Sequence, residues 1–256
     1  MSRWIIGLFV LARTATADQM QILLPLSLAA RVEAGPRWDG AVILEPASAS
    51  AVKVTVEQFS AVGPAPTTVG QLPLELAPRA ALEVDAWLPW PAGWGQLEGF
   101  TYWQRLWRTV AWVTQNIRWD ERDLGAQDAR SVLARRVGRC SGRANLVTAL
   151  LRQQGVPARV VHGLLIRPAG AAWHRWGEAW IPGVGWRPFD PGVAVGVVSV
   201  RYLPMTGAGE GIPLVGVAVI SLVEEEFLRL PQLRGLRVAP SLLAPSPRRA
   251  QEARRL

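Results

Sequence analysis

The chain has 256 residues, enough for one large or two small domains with a sizeable core. Half of them are apolar, and 20 Pro and 24 Gly fall without a period, which excludes collagen-like chains and points to a turn-rich globular protein. The net charge is +8, but five of those units sit near the ends: Arg3 and Arg13 at one, and Arg248, Arg249, Arg254 and Arg255 against Glu252 at the other. No recognition motif accompanies this charge, so nucleic acid is not expected as a partner.

No apolar run reaches the ~18 residues of a membrane span, so no transmembrane segment is expected. A lone Cys excludes an internal disulfide and leaves the redox compartment open. Arg3, the apolar run 4–12 and Ala15-Thr16-Ala17 together have the form of a secretory signal over residues 1–17. On that reading the protein is secreted or periplasmic. Read as a buried strand or helix, the same segment leaves it cytoplasmic.

Residues 18–95 read as a β-rich N-terminal domain. The runs 20–28, 41–44, 52–56 and 82–87 are apolar or alternate as half-buried strands do, with Pro, Gly and Ser clusters between them. After a break at 89–95, Trp103, Leu106, Trp107, Val110, Val113 and Ile117 recur at helical spacing, predicting a helix of about five turns. Asp128 is placed to cap a short helix over 129–136 that Gly138 stops.

Cys140 sits at or just before the first turn of the next helix. Ala144, Val147, Leu150 and Leu151 form its buried stripe, and Gly155 and Pro157 end it. Free N–H groups and the positive end of the dipole favour an anion at such a helix start. A thiol there can titrate at roughly 3.5–7.5 rather than ~8.5, and the same N–H groups can hold an oxyanion.

Downstream come a predicted strand over 158–166 carrying His162 and a hairpin of 173–181 with 186–190 carrying His174 and Asp190. Cys, His and Asp in this order supply a thiol nucleophile, its base and the base's orienter. The hairpin register is decisive, because side chains alternate across a sheet. Pairing Ile181 with Trp186 would put Asp190 on the face away from His174. Pairing Trp180 with Trp186 across a five-residue connection puts the two on one face, diagonally opposed. The triad therefore requires an odd-length connection or a bulge. Two more apolar segments, 195–202 and 214–223, are expected to complete or flank the sheet, and the basic tail 246–256 reads as disordered.

Rival chemistries fail on order and count. The motif Gly138-x-Cys140-x-Gly142 mimics a nucleophile elbow, but no acid lies between Cys140 and His174 and no His follows. No His precedes Cys140 as a caspase-like order needs, and His174 is far closer than the base of a papain-type peptidase. Two His and one Cys do not make a zinc site, and no metal or organic cofactor is expected.

Ser131-Val132-Leu133 through Gly138-x-Cys140, Leu150-Leu151-Arg152, Gly155-Val156-Pro157-Ala158-Arg159, Val161-x-Gly163, His174-x-Trp176-x-Glu178 and Gly185-Trp186 to Asp190-Pro191 together resemble the transglutaminase core. The resemblance runs over about 117–191 without a large gap. It implies a papain-like α+β fold, with the nucleophile helix packed on an antiparallel sheet, in a catalytic core over 96–206 followed by a C-terminal β segment over 207–245. It also implies Cys140 as nucleophile, His174 as base and Asp190 as orienter.

The family's further oxyanion donor lies upstream of the Cys, where Trp119 and Gln127 are the candidates. Ser141 after the Cys bears on substrate fit. Trp176, Trp180 and Trp186 either wall an acyl-binding groove or pack in the core. His162 is expected to be an ordinary strand histidine and Glu178 a salt-bridge partner. The activity implied is cleavage or transfer of protein or peptide amide acyl groups through a Cys thioester, hydrolysis being favoured over cross-linking. The alternative is a catalytically silent binding module on the same fold.

Overall fold

The structure, a computed structural model, describes residues 18–37, 40–58, 88–90, 94, 100–207, 212–239 and 242. The signal-like run 1–17, the expected strand 82–87 and the basic tail 246–256 lie outside them. First in the chain come β1 (Asp18–Pro25), the single turn α1 (Leu26–Ala29), β2 (Gly35–Arg37), β3 (Gly40–Pro46) and β4 (Ala51–Gln58). The middle holds α2 (Tyr102–Asn116), β5 (Arg118–Trp119), α3 (Ala129–Arg135), β6 (Val137–Gly138) and α4 (Cys140–Gln153). Three long strands follow, β7 (Ala158–Arg167), β8 (Gly170–Ile181) and β9 (Gly185–Asp190). Shorter pieces close the series: β10 (Ala194–Val195), β11 (Tyr202–Pro204), β12 (Ala218–Val223), α5 (Glu225–Arg229), β13 (Gln232–Leu233) and β14 (Leu236–Val238).

Two large sheets organise these elements. One has the order β12-β1-β4-β3-β2; the other runs β11-β7-β8-β9-β10-β14-β13 and is antiparallel except where β10 meets β14. The fold is the α+β arrangement expected, with α4 packed on the seven-stranded antiparallel sheet. In β1 alternate residues are buried, so Met20, Ile22 and Leu24 face inward and meet Leu164, Ile166 and Leu203 of the second sheet. The first sheet is not built from the N-terminal segment alone. β12 pairs with β1, a partner about 200 residues away, instead of extending the sheet that carries His174. Asp18 adds a second tie, accepting the Glu226 and Phe227 backbone N–H groups at the start of α5 (2.8 and 2.7 Å).

Local sequence accounts for the helices around the site. Thr101 and Gln104 form a reciprocal capping box at the start of α2, and Leu106, Val110 and Val113 are its fully buried stripe. The helix is one turn shorter than the apolar spacing implies, because Ile117 turns extended while its side chain stays in the core. Asp128 caps α3 by accepting from the Ser131 N–H (2.9 Å). What stops α3 is Arg136 in the left-handed conformation (φ 57°), not Gly138. Gly138 is instead where Val132 packs, 3.1 Å from the position a Cβ would take.

Helix α4 is buried on nearly every side. Leu146, Val147, Leu150 and Leu151 are wholly inaccessible, each contributing about 1.5–3 kcal/mol of apolar burial. The helix lies between β7 and β8 on one side and α2 and α3 on the other, so its first residue cannot drift relative to the sheet.

The register of β8 with β9 sets the face on which Asp190 emerges. Trp180 pairs with Trp186 and Gly177 with Phe189, which is the pairing the triad requires. Pro182, Gly183 and Val184 form the odd-length turn, with Gly183 at φ 75°. On the opposite face the Phe189 ring lies over Gly177, where any Cβ would overlap it. Gly177→Ala is therefore expected to destabilise the fold by about 1–3 kcal/mol, read as a lowered urea midpoint with unchanged slope.

Candidate active site

Cys140 is the first residue of α4, and no side chain caps that helix start. Its backbone N–H groups are left for a bound group. Gln127 holds the turn from outside: its Oε1 accepts the Arg139 N–H (2.8 Å), and its Nε2 donates to Asp123 Oδ2 (2.8 Å) and the Gly125 carbonyl (2.7 Å). Gly142 lies against the same Gln127 oxygen, which a Cβ would strike. The two glycines around Cys140 thus answer to packing against α3 and Gln127 rather than to an elbow.

His174 projects from β8 and Asp190 from the end of β9. Their Nε2 and Oδ2 atoms are 2.7 Å apart, and both side chains are largely buried. The other ring nitrogen is left for Cys140, whose sulfur is hydrogen-bonded to His174 and to the Arg175 backbone N–H. Tyr202 of β11 donates its phenol O–H to the same Oδ2 (2.6 Å). Burial and the neighbouring Asp190 push the Tyr202 pKa well up, which keeps that proton in place. Trp176 is stacked beside the imidazole, with centroids 6.3 Å apart, and Tyr202 meets both rings edge-on.

Electrostatics follow from this packing. Burial alone would discharge His174, but the Asp190 charge and hydrogen bond, together with Cys140, raise its pKa from 6.5 to about 10. Burial raises the Cys140 thiol as well; the His174 hydrogen bond and charge and the Arg175 N–H outweigh it, and the net shift is downward. Both shifts favour the thiolate–imidazolium form of the pair over the neutral one.

Cys140, His174 and Asp190 line a cleft of about 560 Å³, with Ser141 and Trp119 also on its walls. Cys140 is only half-buried, so its sulfur is reachable. Two of the expected site residues lie elsewhere. Gln127 does not line the cleft and its amide donors are occupied, so it braces the turn before Cys140 and has no donor to spare for the cleft. Trp176 is wholly buried behind the imidazole and does not line the cleft. Trp180 and Trp186 pack edge-to-face on each other. Glu178 is a buried partner of Arg159 (2.7 Å), and His162 sits half-buried in mid-strand. Sequence reasoning missed Tyr202, an aromatic in an apolar run, and Arg143, buried one turn after the nucleophile. Among the described residues no cluster of three or more His, Cys, Asp or Glu is placed to hold a metal. No described helix is long and apolar enough to cross a membrane.

Residues 100–191 match the transglutaminase-like superfamily, which shows for this segment the resemblance read from its motifs. No curated protein matches the chain. Among solved structures, it is similar to a Cytophaga hutchinsonii protein described provisionally as a cysteine protease, at 15% identity and a TM-score of 0.43 over 82% of this chain and 90% of that one. A second is the periplasmic domain of TgpA from Pseudomonas aeruginosa, at 18% identity and a TM-score of 0.37 over 68% and 69%.

Tyr202→Phe removes one of two donors from a buried carboxylate oxygen and is expected to lower stability by about 1.5–3 kcal/mol in urea unfolding. The raised His174 pKa gives a second test. Pairing of a protonated His174 with Asp190 stabilises the fold fully below about pH 6.5 and is lost as pH climbs through the raised folded value. Cys140→Ala should accordingly lose stability above about pH 6.5. The wild type should stay flatter, since folding there strips from Cys140 the proton that His174 keeps.

Proposed function

We propose that the chain is a cysteine acyl hydrolase acting on protein or peptide amides. The observation that carries this reading is the hydrogen-bonded series Cys140, His174, Asp190 and Tyr202, opening on a cleft at an uncapped helix start. The thiolate of Cys140 attacks the amide carbonyl, and the N–H groups at the start of α4 receive the developing oxyanion. As the tetrahedral intermediate collapses, the His174 imidazolium gives its proton to the leaving amine and a thioester remains. His174, now neutral, takes a proton from water, whose oxygen attacks the thioester. The carboxylic acid departs and the thiolate–imidazolium pair is restored.

Asp190 keeps its charge throughout and steadies the ring, while Tyr202 holds Asp190 in place. Hydrolysis is favoured over amine transfer because the half-buried sulfur leaves water access to the thioester. Mass spectrometry of a peptide library, incubated with and without an added amine, tests the assignment. Shortened or deamidated peptides are expected, with activity at least about a thousandfold lower in Cys140→Ala. Amine adducts in place of hydrolysis products would make it a transferase. Binding without any altered peptide would make it a binding module.

A further inference from the structure

One buried cation has no part in the chemistry above. Arg143 stands three residues after Cys140 on α4, so the two side chains lie on one face of the helix. It is 6% exposed, yet its guanidinium forms no ion pair or hydrogen bond among the described residues, and its Nε has no acceptor. A guanidinium so placed is normally paired, because leaving it unpaired carries a desolvation penalty. Burial pulls its pKa down, and Asp190 offsets this only from a distance, its Oδ2 already taken by His174 and Tyr202.

The guanidinium tip faces the cleft beside Gly192. There a Cβ would lie 3.0 Å from Nη1, and φ is +93°, so the loop after β9 keeps the tip clear. The Gly192 N–H donates to Thr114 Oγ1 on α2 (2.9 Å), which fixes that loop. Arg139 and Arg167 also line the cleft, against Glu121 as the further acid, so its wall is cationic.

We infer that Arg143 binds a substrate carboxylate, so that the acyl substrate is an acidic peptide with its carboxylate beside the amide that Cys140 attacks. The planar fork of an arginine suits a carboxylate bidentately, and an anion there supplies a partner that the described residues do not. The inference rests on the acyl chemistry proposed above. An Asp or Glu side chain and a chain terminus share this chemistry.

A pair of alkylating reagents tests it. Iodoacetamide and iodoacetate both lose iodide to the Cys140 thiolate as the S–C bond forms, and they differ in carboxamide against carboxylate. Cys140 is the chain's single cysteine, so the label reports on it alone. Arg143→Gln is expected to slow iodoacetate about tenfold or more while iodoacetamide stays within about twofold, with partial recovery in Arg143→Lys. The attraction of His174 for the anion is common to all variants and cancels. An unchanged reagent ratio would overturn the assignment, whatever the absolute rates. Slow labelling of the wild type by both reagents would count instead against the acyl chemistry.

Should Arg143→Gln not fold, protection of wild-type Cys140 from iodoacetamide by peptides gives the same answer. A Glu peptide with an amidated end and a neutral peptide with a free end separate the two carboxylate sources. Protection by either, and not by the fully neutral amide, is expected. Equal protection by the neutral amide would overturn the inference.

Discussion

The 2.7 Å contact between His174 Nε2 and Asp190 Oδ2 is the interaction on which the site depends. Burial makes an imidazole a weaker base, and so weakened it would leave the proton on a neighbouring thiol. The carboxylate reverses that preference, and the charge on His174 then stabilises the Cys140 thiolate. The contact is set by one register choice in the β8–β9 hairpin. A one-residue slip would send Asp190 to the face where Phe189 now packs over Gly177. The geometry of the Cys140–His174–Asp190 cluster and the packing of the core are therefore specified together.

Around this contact the protein uses elements distant in sequence. Tyr202 arrives on β11, which pairs with β7 on the far side of β8. Thr114 on α2 holds the loop after Asp190, and Gln127 holds the turn before Cys140. Each hydrogen bond ties a residue beside the site to an element remote in sequence or to a neighbouring turn, and such ties hold its geometry together. Arg143 is the exception, a buried cation at the cleft whose guanidinium has no ion pair or hydrogen bond among the described residues.

Much of this was legible in the residues themselves. The chain offers one Cys and two His, so few constellations could be drawn, and the alternation rule converted the triad into a stated hairpin register that β8 and β9 adopt. The stripe on α2 and the cap at Asp128 are local signals and read directly. Contacts between remote strands were not legible. Nothing local in residues 218–223 says that they pair with β1, and nothing near Tyr202 says that its O–H meets Asp190. Trp176 shares a face with His174 by alternation, but whether that face meets solvent or core is decided by β11 and Tyr202, which cover it. An arginine after the nucleophile reads as a surface residue by type, and only the packing of α4 buries it.

The charge on His174 is what favours the thiolate of Cys140. Ultraviolet thiolate absorption, taken as the difference between wild type and Cys140→Ser across pH, measures it directly. The thiolate signal is expected to persist below pH 9.0, where an ordinary thiol titrates, and His174→Ala is expected to abolish this persistence. A signal that titrates as an ordinary thiol does, and is indifferent to His174, would contradict it.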